Sequence, residues 1–132
     1  MERSTFVIDI DDTISVTEVD ENGVGQYLHA KPITEVIRRI QELYRDGHKI
    51  ILFTARGMRT FKGNIKEIEN FHKENLINWL GEHDVPYDEL CFGKPWGHNV
   101  YYIDDRNLTI SQFVNNPPER YLKDTKLNRI IV

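Results

Sequence analysis

Phe6-Val7-Ile8-Asp9-Ile10-Asp11-Asp12-Thr13 is an apolar run that stops in three carboxylates within four positions. Such a run reads as a buried strand delivering acids to its carboxyl end. Carboxylates crowded on one short turn repel each other by roughly 4 kcal/mol per close pair at an effective dielectric near 20. The turn therefore needs a counter-charge, and Mg²⁺, which suits hard carboxylate oxygens, is the natural candidate. Taken alone, the stretch also reads as an ordinary acidic turn behind a core strand. The rest of the chain decides between the two.

Beyond Thr13, residues 14–29 carry alternating apolar positions (Ile14, Val16) and an Asn22-Gly23 pair, the strongest short-range hairpin signal. A small β-hairpin flap over about 14–30 is expected. Pro32 then opens an amphipathic helix with Ile33, Val36, Ile37, Ile40, Leu43 and Tyr44 on one face and Gly47 as its stop. Lys49–Thr54 is a second buried strand, again ending in a polar residue. A glycine-bounded loop over 57–63 carries Arg59 and Lys62, and Asn64 with Glu67 forms a capping pattern. It opens a helix whose Ile65, Ile68, Leu76, Trp79 and Leu80 face the sheet, with Gly81 expected to end it. A short strand near Glu89–Phe92 leads to Gly93-Lys94-Pro95-Trp96-Gly97, a rigid loop presenting one lysine. Residues 100–103 (Val-Tyr-Tyr-Ile) read as the next strand, ending in Asp104-Asp105. A short helix near 111–114, a break at Pro117-Pro118 and an edge strand at 129–132 complete the expectation.

Strands alternating with helices imply an α/β fold: a three-layer, Rossmann-like parallel sheet with helices on both faces. Ligands bind such folds beyond the carboxyl ends of the strands. Asp9, Asp11, Thr54, Lys94, Asp104 and Asp105 would all gather there.

The 132 residues, 39% apolar, suit a single domain over 1–132. A net charge of −4 without a Lys/Arg block speaks against nucleic acid and anionic membranes and leaves small solutes as partners. The amino end lacks a secretory pattern and no apolar run approaches the ~20 residues of a membrane span. The single cysteine, Cys91, excludes an intrachain disulfide framework, so a cytoplasmic setting is expected.

Asp9, Asp11 and Thr13 after the first strand, Thr54 after the second, Lys94, and the Asp104-Asp105 pair resemble the four ordered motifs of the haloacid dehalogenase superfamily. The match spans about residues 5–106. Within it, Thr54-Ala-Arg-Gly-Met-Arg-Thr60, Val85-Pro-Tyr-Asp-Glu-Leu90 and Phe92-Gly-Lys-Pro-Trp-Gly97 resemble small bacterial capsule-polysaccharide-biosynthesis phosphatases. Usual members often carry Gly where this chain has Asp12, which puts the shape of the turn in question.

The resemblance implies a Mg²⁺-dependent phosphatase forming an aspartyl-phosphate intermediate. Asp9 would be the nucleophile, and Asp11 would protonate the leaving oxygen and then deprotonate the attacking water. Asp9, Asp104, Asp105 and the Asp11 backbone carbonyl would hold the metal. Thr54 and Lys94 would bind phosphate. From the residues alone, Arg56 reads either as a grip on a second anionic group of the substrate or as a solvated loop charge. An acid two residues after the nucleophile suits phosphate esters rather than dehalogenation.

No large cap domain fits between the motifs. The open site implies a homo-oligomer whose flaps or 56–63 loops close neighbouring sites. A sugar phosphate of surface-polysaccharide synthesis is the substrate the resemblance favours. A nucleic-acid end phosphatase, a phospho-acceptor signalling module and a binding module without turnover are the alternatives. The histidines His29, His48, His72, His83 and His98 lack metal-ligand spacing and are expected at exposed positions.

Overall fold

The computed structural model describes residues 3–18, 20–22, 27–97, 99–102 and 107–116. They divide into two compact units, Met1–His98 and Asn99–Val132. In the first, three strands form a parallel sheet in the order β1 (Thr5–Asp9), β4 (Lys49–Thr54), β5 (Glu89–Phe92). Two short strands, β2 (Ser15–Val16) and β3 (Lys31–Pro32), pair antiparallel. Between them lies a 3₁₀ turn, Tyr27–His29. Gly23 is outside the described residues, and so is the hairpin turn expected at Asn22-Gly23.

Register explains which side chains are buried. Phe6 pairs with Ile50 and Ile8 with Leu52, so these residues share one face, while Val7, paired with Ile51, belongs to the other. Ile50 and Leu52 are fully buried, whereas Val7 is 65% exposed. The buried face is the one covered by α1 (Thr34–Arg45) and α2 (Ile65–Glu82), which bury Val36, Ile37, Ile40 and Leu43, and Ile68, His72, Leu76, Trp79 and Leu80. Gln41 of α1 donates to the Asp84 carbonyl just beyond α2 at 2.9 Å. Trp79 Nε1 donates to the Ala30 carbonyl at 3.0 Å and ties α2 to the approach to β3.

The helix boundaries follow local chemistry, except that Pro32, expected to open the first helix, lies in β3 with α1 starting at Thr34, and that α2 runs past Gly81. Asn64 caps α2 as expected, its side chain accepting from the Glu67 amide at 3.2 Å. Gly81 does not end that helix. The chain stays helical to Glu82, the His83 amide bonds back to the Trp79 carbonyl, and Asp84 takes the left-handed conformation at φ 55°. Ile65, expected on the sheet side, is 40% exposed, and His72 occupies the inner stripe instead.

His48 is also buried, its Nδ1 accepting the Ser4 amide at 3.0 Å and its ring edge-on to Phe6. For these two histidines the expected exposure is therefore corrected. Each packs among apolar or aromatic neighbours that a neutral imidazole matches in shape.

In the second unit, α3 (Ile110–Asn115) opens with a capping box between Thr109 and Gln112. The strand expected over 100–103 does not form in its described part, where Tyr101 is 79% exposed; Ile103 is outside the described residues. Pro117-Pro118 and the edge strand expected at 129–132 also lie outside them. Among the described residues no helix is long and apolar enough to cross a membrane.

Leu76 has no solvent exposure and sits at the centre of the α2 stripe. Leu76→Ala should cost about 2–5 kcal/mol. Urea unfolding checks this as a lower midpoint at unchanged slope.

Candidate functional site

The turn after β1 is wound around one carbonyl. The amides of Thr13, Ile14 and Ser15 all donate to the Ile10 oxygen, at 3.2, 2.8 and 3.2 Å. The chain is thereby folded back so that Asp9 and Asp11 both stand at the carboxyl end of the sheet. Asp12 adopts φ 64°, the left-handed region in which aspartate is among the better-tolerated residues after glycine. The turn that glycine would form is thus kept, with the Asp12 side chain exposed.

Each of the two carboxylates has its own partners. Asp9 Oδ1 accepts from Lys94 Nζ at 3.0 Å and Oδ2 accepts from Thr13 Oγ1 at 3.1 Å. Asp11 Oδ2 accepts from Thr54 Oγ1 at 2.9 Å. Arg56 Nε donates to Asp11 Oδ1 at 3.0 Å and less directly to Oδ2 at 3.3 Å. Arg56 Nη2 also lies 3.0 Å from Oδ1, but its hydrogens are not aligned with that oxygen, and it has no hydrogen-bond partner among the described residues. Thr17 Oγ1 adds a long contact at 3.5 Å.

These partners come from three strand ends. Thr54 closes β4, and the Arg56 amide donates to Thr54 Oγ1 at 3.1 Å, fixing the turn that follows. Gly57 continues this turn at φ 77°, where a Cβ would sit 3.0–3.1 Å from Ile68, His72 and Phe61. A side chain there would press on α2 as well as strain the backbone. Gly93, at φ 92°, turns the chain just after β5, and the Lys94 amide then donates to the Thr54 carbonyl at 3.2 Å. This swings the ammonium back over β1.

Behind the carboxylates lies a group of rings. Tyr27 stacks on the Arg56 guanidinium, with Cζ 4.4 Å from the ring centroid, and meets His72 edge-on at 5.5 Å. His72 in turn contacts Phe71 and Phe61. Burial pushes the Tyr27 hydroxyl up from its ordinary value, with Asp11 adding to the shift. Burial pulls the His72 imidazole down, and the Arg56 charge lowers it further.

Of the expected site residues, Asp9, Asp11, Thr54, Arg56 and Lys94 are brought together. Asp104 and Asp105 lie outside the described residues, and no cluster of three or more His, Cys, Asp or Glu side chains among those described could hold a metal. Asp9 and Asp11 offer the oxygen donors a hard cation takes, and so fit Mg²⁺ in kind. The counter-charge within the described site is supplied by Lys94 and Arg56, one cation for each carboxylate.

Arg56 and the Thr54 hydroxyl, expected to face substrate, are both engaged with Asp11. Tyr27 and His72 were not among the expected site residues. The available signals were the place of His72 on the α2 stripe, four residues from both Ile68 and Leu76, and the aromatic residue just before β3.

No protein-family model and no curated protein matches the chain. Among solved structures it is similar to the crystal structure of an MCSG target from Vibrio cholerae, with 33% identity over 94% of this chain and 98% of that one, and a TM-score of 0.84. The chain belongs to the same family as that protein.

The lowered His72 sets an acid limit on stability. The unfolded chain, with an imidazole near 6.5, takes up this proton before the folded protein does. The His72 contribution is therefore complete above about pH 6.5 and declines as pH falls through the lowered folded value. Urea melts of wild type and His72→Leu should show wild type losing stability relative to the variant on acidification. A pH-independent difference would exclude this linkage.

Proposed function

We propose that this chain, sharing a family with the Vibrio cholerae protein, is a Mg²⁺-dependent phosphomonoesterase of the haloacid dehalogenase type. It acts on a small phosphorylated metabolite through an aspartyl phosphate on Asp9. The observation that carries this reading is the pair of carboxylates two residues apart with unlike partners, an ammonium on Asp9 and a hydroxyl with a guanidinium on Asp11.

Lys94 neutralises charge beside Asp9, which an anionic nucleophile needs to approach an anionic phosphate. The Thr13 hydroxyl holds the other Asp9 oxygen and fixes the direction of attack. In the first half-reaction Asp9 forms a bond to phosphorus, the ester P–O bond breaks, and Asp11, having taken a proton from solvent, delivers it to the leaving oxygen. In the second half-reaction Asp11 takes a proton from water. The water oxygen attacks phosphorus and the P–O bond to Asp9 breaks, releasing inorganic phosphate. Every partner of Asp11 among the described residues is a donor, which suits the carboxylate that would perform this second step.

Asp9, the Asp11 carbonyl, Asp104 and Asp105 would hold Mg²⁺. When bound, the ion supplies positive charge between nucleophile and phosphate.

The same reading includes a three-layer single domain with helices on both faces, the segment between β2 and β3 as a flap, and no large cap domain. It also includes closure of the site by a second copy in a cytoplasmic homo-oligomer. A sugar phosphate of surface-polysaccharide synthesis is favoured by the motif resemblance alone.

Assay of the purified protein with Mg²⁺ against an aryl phosphate and a panel of sugar phosphates tests the proposal. Phosphate release should be abolished by Asp9→Asn and by EDTA, and Asp11→Asn should lower it by about 10²–10⁴-fold. Release that persists in Asp9→Asn would overturn the assignment of the nucleophile. A stable phospho-adduct on Asp9 without turnover would favour a signalling module.

A further inference from the structure

Arg56 has the charge and position of a substrate clamp but not its exposure. Its side chain is 2% accessible, whereas Asp11 and Lys94 keep 23% and 19%. One edge of the guanidinium, Nε with Nη2, is turned toward Asp11, and Tyr27 covers a face. An arriving anion therefore has no open route to it. The backbone around Arg56 is equally constrained. Its amide is fixed on Thr54 Oγ1, the hydroxyl that itself donates to Asp11, and Gly57 is pressed between Ile68, His72 and Phe61. The Arg56 backbone is thus held by β4 through Thr54 and by the tight turn at Gly57 against α2, while the guanidinium is held by Asp11 and the Tyr27 ring. A planar fork held in this way fixes the direction of a carboxylate, which a single ammonium cannot do.

We propose that Arg56 is the positioning residue of Asp11, and that Tyr27, by stacking on its guanidinium, makes the 3₁₀ turn Tyr27–His29 part of the clamp. The catalytic meaning rests on the phosphomonoesterase reading given above. Arg56 touches neither substrate nor phosphate; it sets where Asp11 stands when the leaving oxygen needs its proton. Tyr27 excludes water from the guanidinium and strengthens the ion pair beneath it. A shift of Tyr27 loosens Arg56, and through it Asp11, without any change at Asp9 or Lys94. Tyr27 thereby acts on the proton-transfer residue and leaves the nucleophile unaltered.

The test compares two substrates that differ in their need for an acid. A nitrophenolate leaves phosphorus without a proton, whereas an alkoxide, as in glycerol phosphate, does not. Arg56→Ala should lower kcat on the alkyl ester by on the order of 10²-fold, with a much smaller loss on nitrophenyl phosphate and KM unchanged on both. Tyr27→Leu should show the same selectivity with a smaller loss, and Arg56→Lys should recover only part of the activity. Thermal melts establish that each variant is folded; should Arg56→Ala not fold, Arg56→Lys and Tyr27→Leu carry the comparison.

Equal losses on both substrates, or a rise in KM with kcat intact, would overturn the positioning role and leave the phosphatase reading standing. Absence of phosphate release by wild type from either ester would overturn the phosphatase reading itself. The clamp also has a readout apart from turnover. The Arg56 Nε–H should give a slowly exchanging side-chain resonance in wild type that is lost in Tyr27→Leu and in Asp11→Ala. A rapidly exchanging Nε–H in wild type would overturn the clamp whatever the activity.

Discussion

Two carboxylates held side by side on one turn are the constraint on which this structure depends. Left alone they would cost several kcal/mol, on the scale of a small domain's whole stability. The cations that oppose them stand far along the chain, Arg56 45 residues after Asp11 and Lys94 85 residues after Asp9. Neither can arrive unless β1, β4 and β5 lie parallel and adjacent with their carboxyl ends level. The Arg56 pair is especially demanding because the guanidinium is buried. Without Asp11 it would be an uncompensated buried charge, a defect worth about 3–5 kcal/mol. Sheet order and site geometry thus impose one condition on the sequence.

The backbone meets this condition with a common device at the three strand exits. Asp12 lies three residues beyond the end of β1, Gly57 three beyond β4 and Gly93 directly after β5, and all have positive φ. Each turns the chain sharply so that the next polar group faces the neighbouring strand instead of continuing into solvent. At the first exit an aspartate takes the conformation usually given to glycine. The three amides converging on the Ile10 carbonyl define this turn without needing glycine's freedom. That is why Asp12 changes neither the place of Asp9 nor that of Asp11.

Much of this was legible in the sequence because buried parallel strands are nearly continuous apolar runs, and Lys49–Thr54 and Glu89–Phe92 are such runs. The α2 start was legible for a different reason, since a cap is a local hydrogen bond between Asn64 and Glu67. What escaped was non-local or went against residue type. His72 reads as polar in any periodicity count, yet its ring lies in the apolar stripe against Tyr27 and Phe71. Arg56 reads as a solvated loop charge, and only tertiary packing reveals that a tyrosine covers it. The valine and tyrosines at 100–102 misled in the opposite direction. Strand propensity reports how well side chains suit a half-buried pleated surface, and these remain exposed.

Arg56 also changes the charge balance of the proposed active site. Within the described site, the carboxylates of Asp9 and Asp11 are matched by two cations, Lys94 and Arg56. Under the proposed mechanism, Asp11 would accept a proton from water and pass one to a leaving oxygen while held by Arg56. In that reading the buried ion pair, a weak source of stability, serves to hold Asp11 in place for the chemistry.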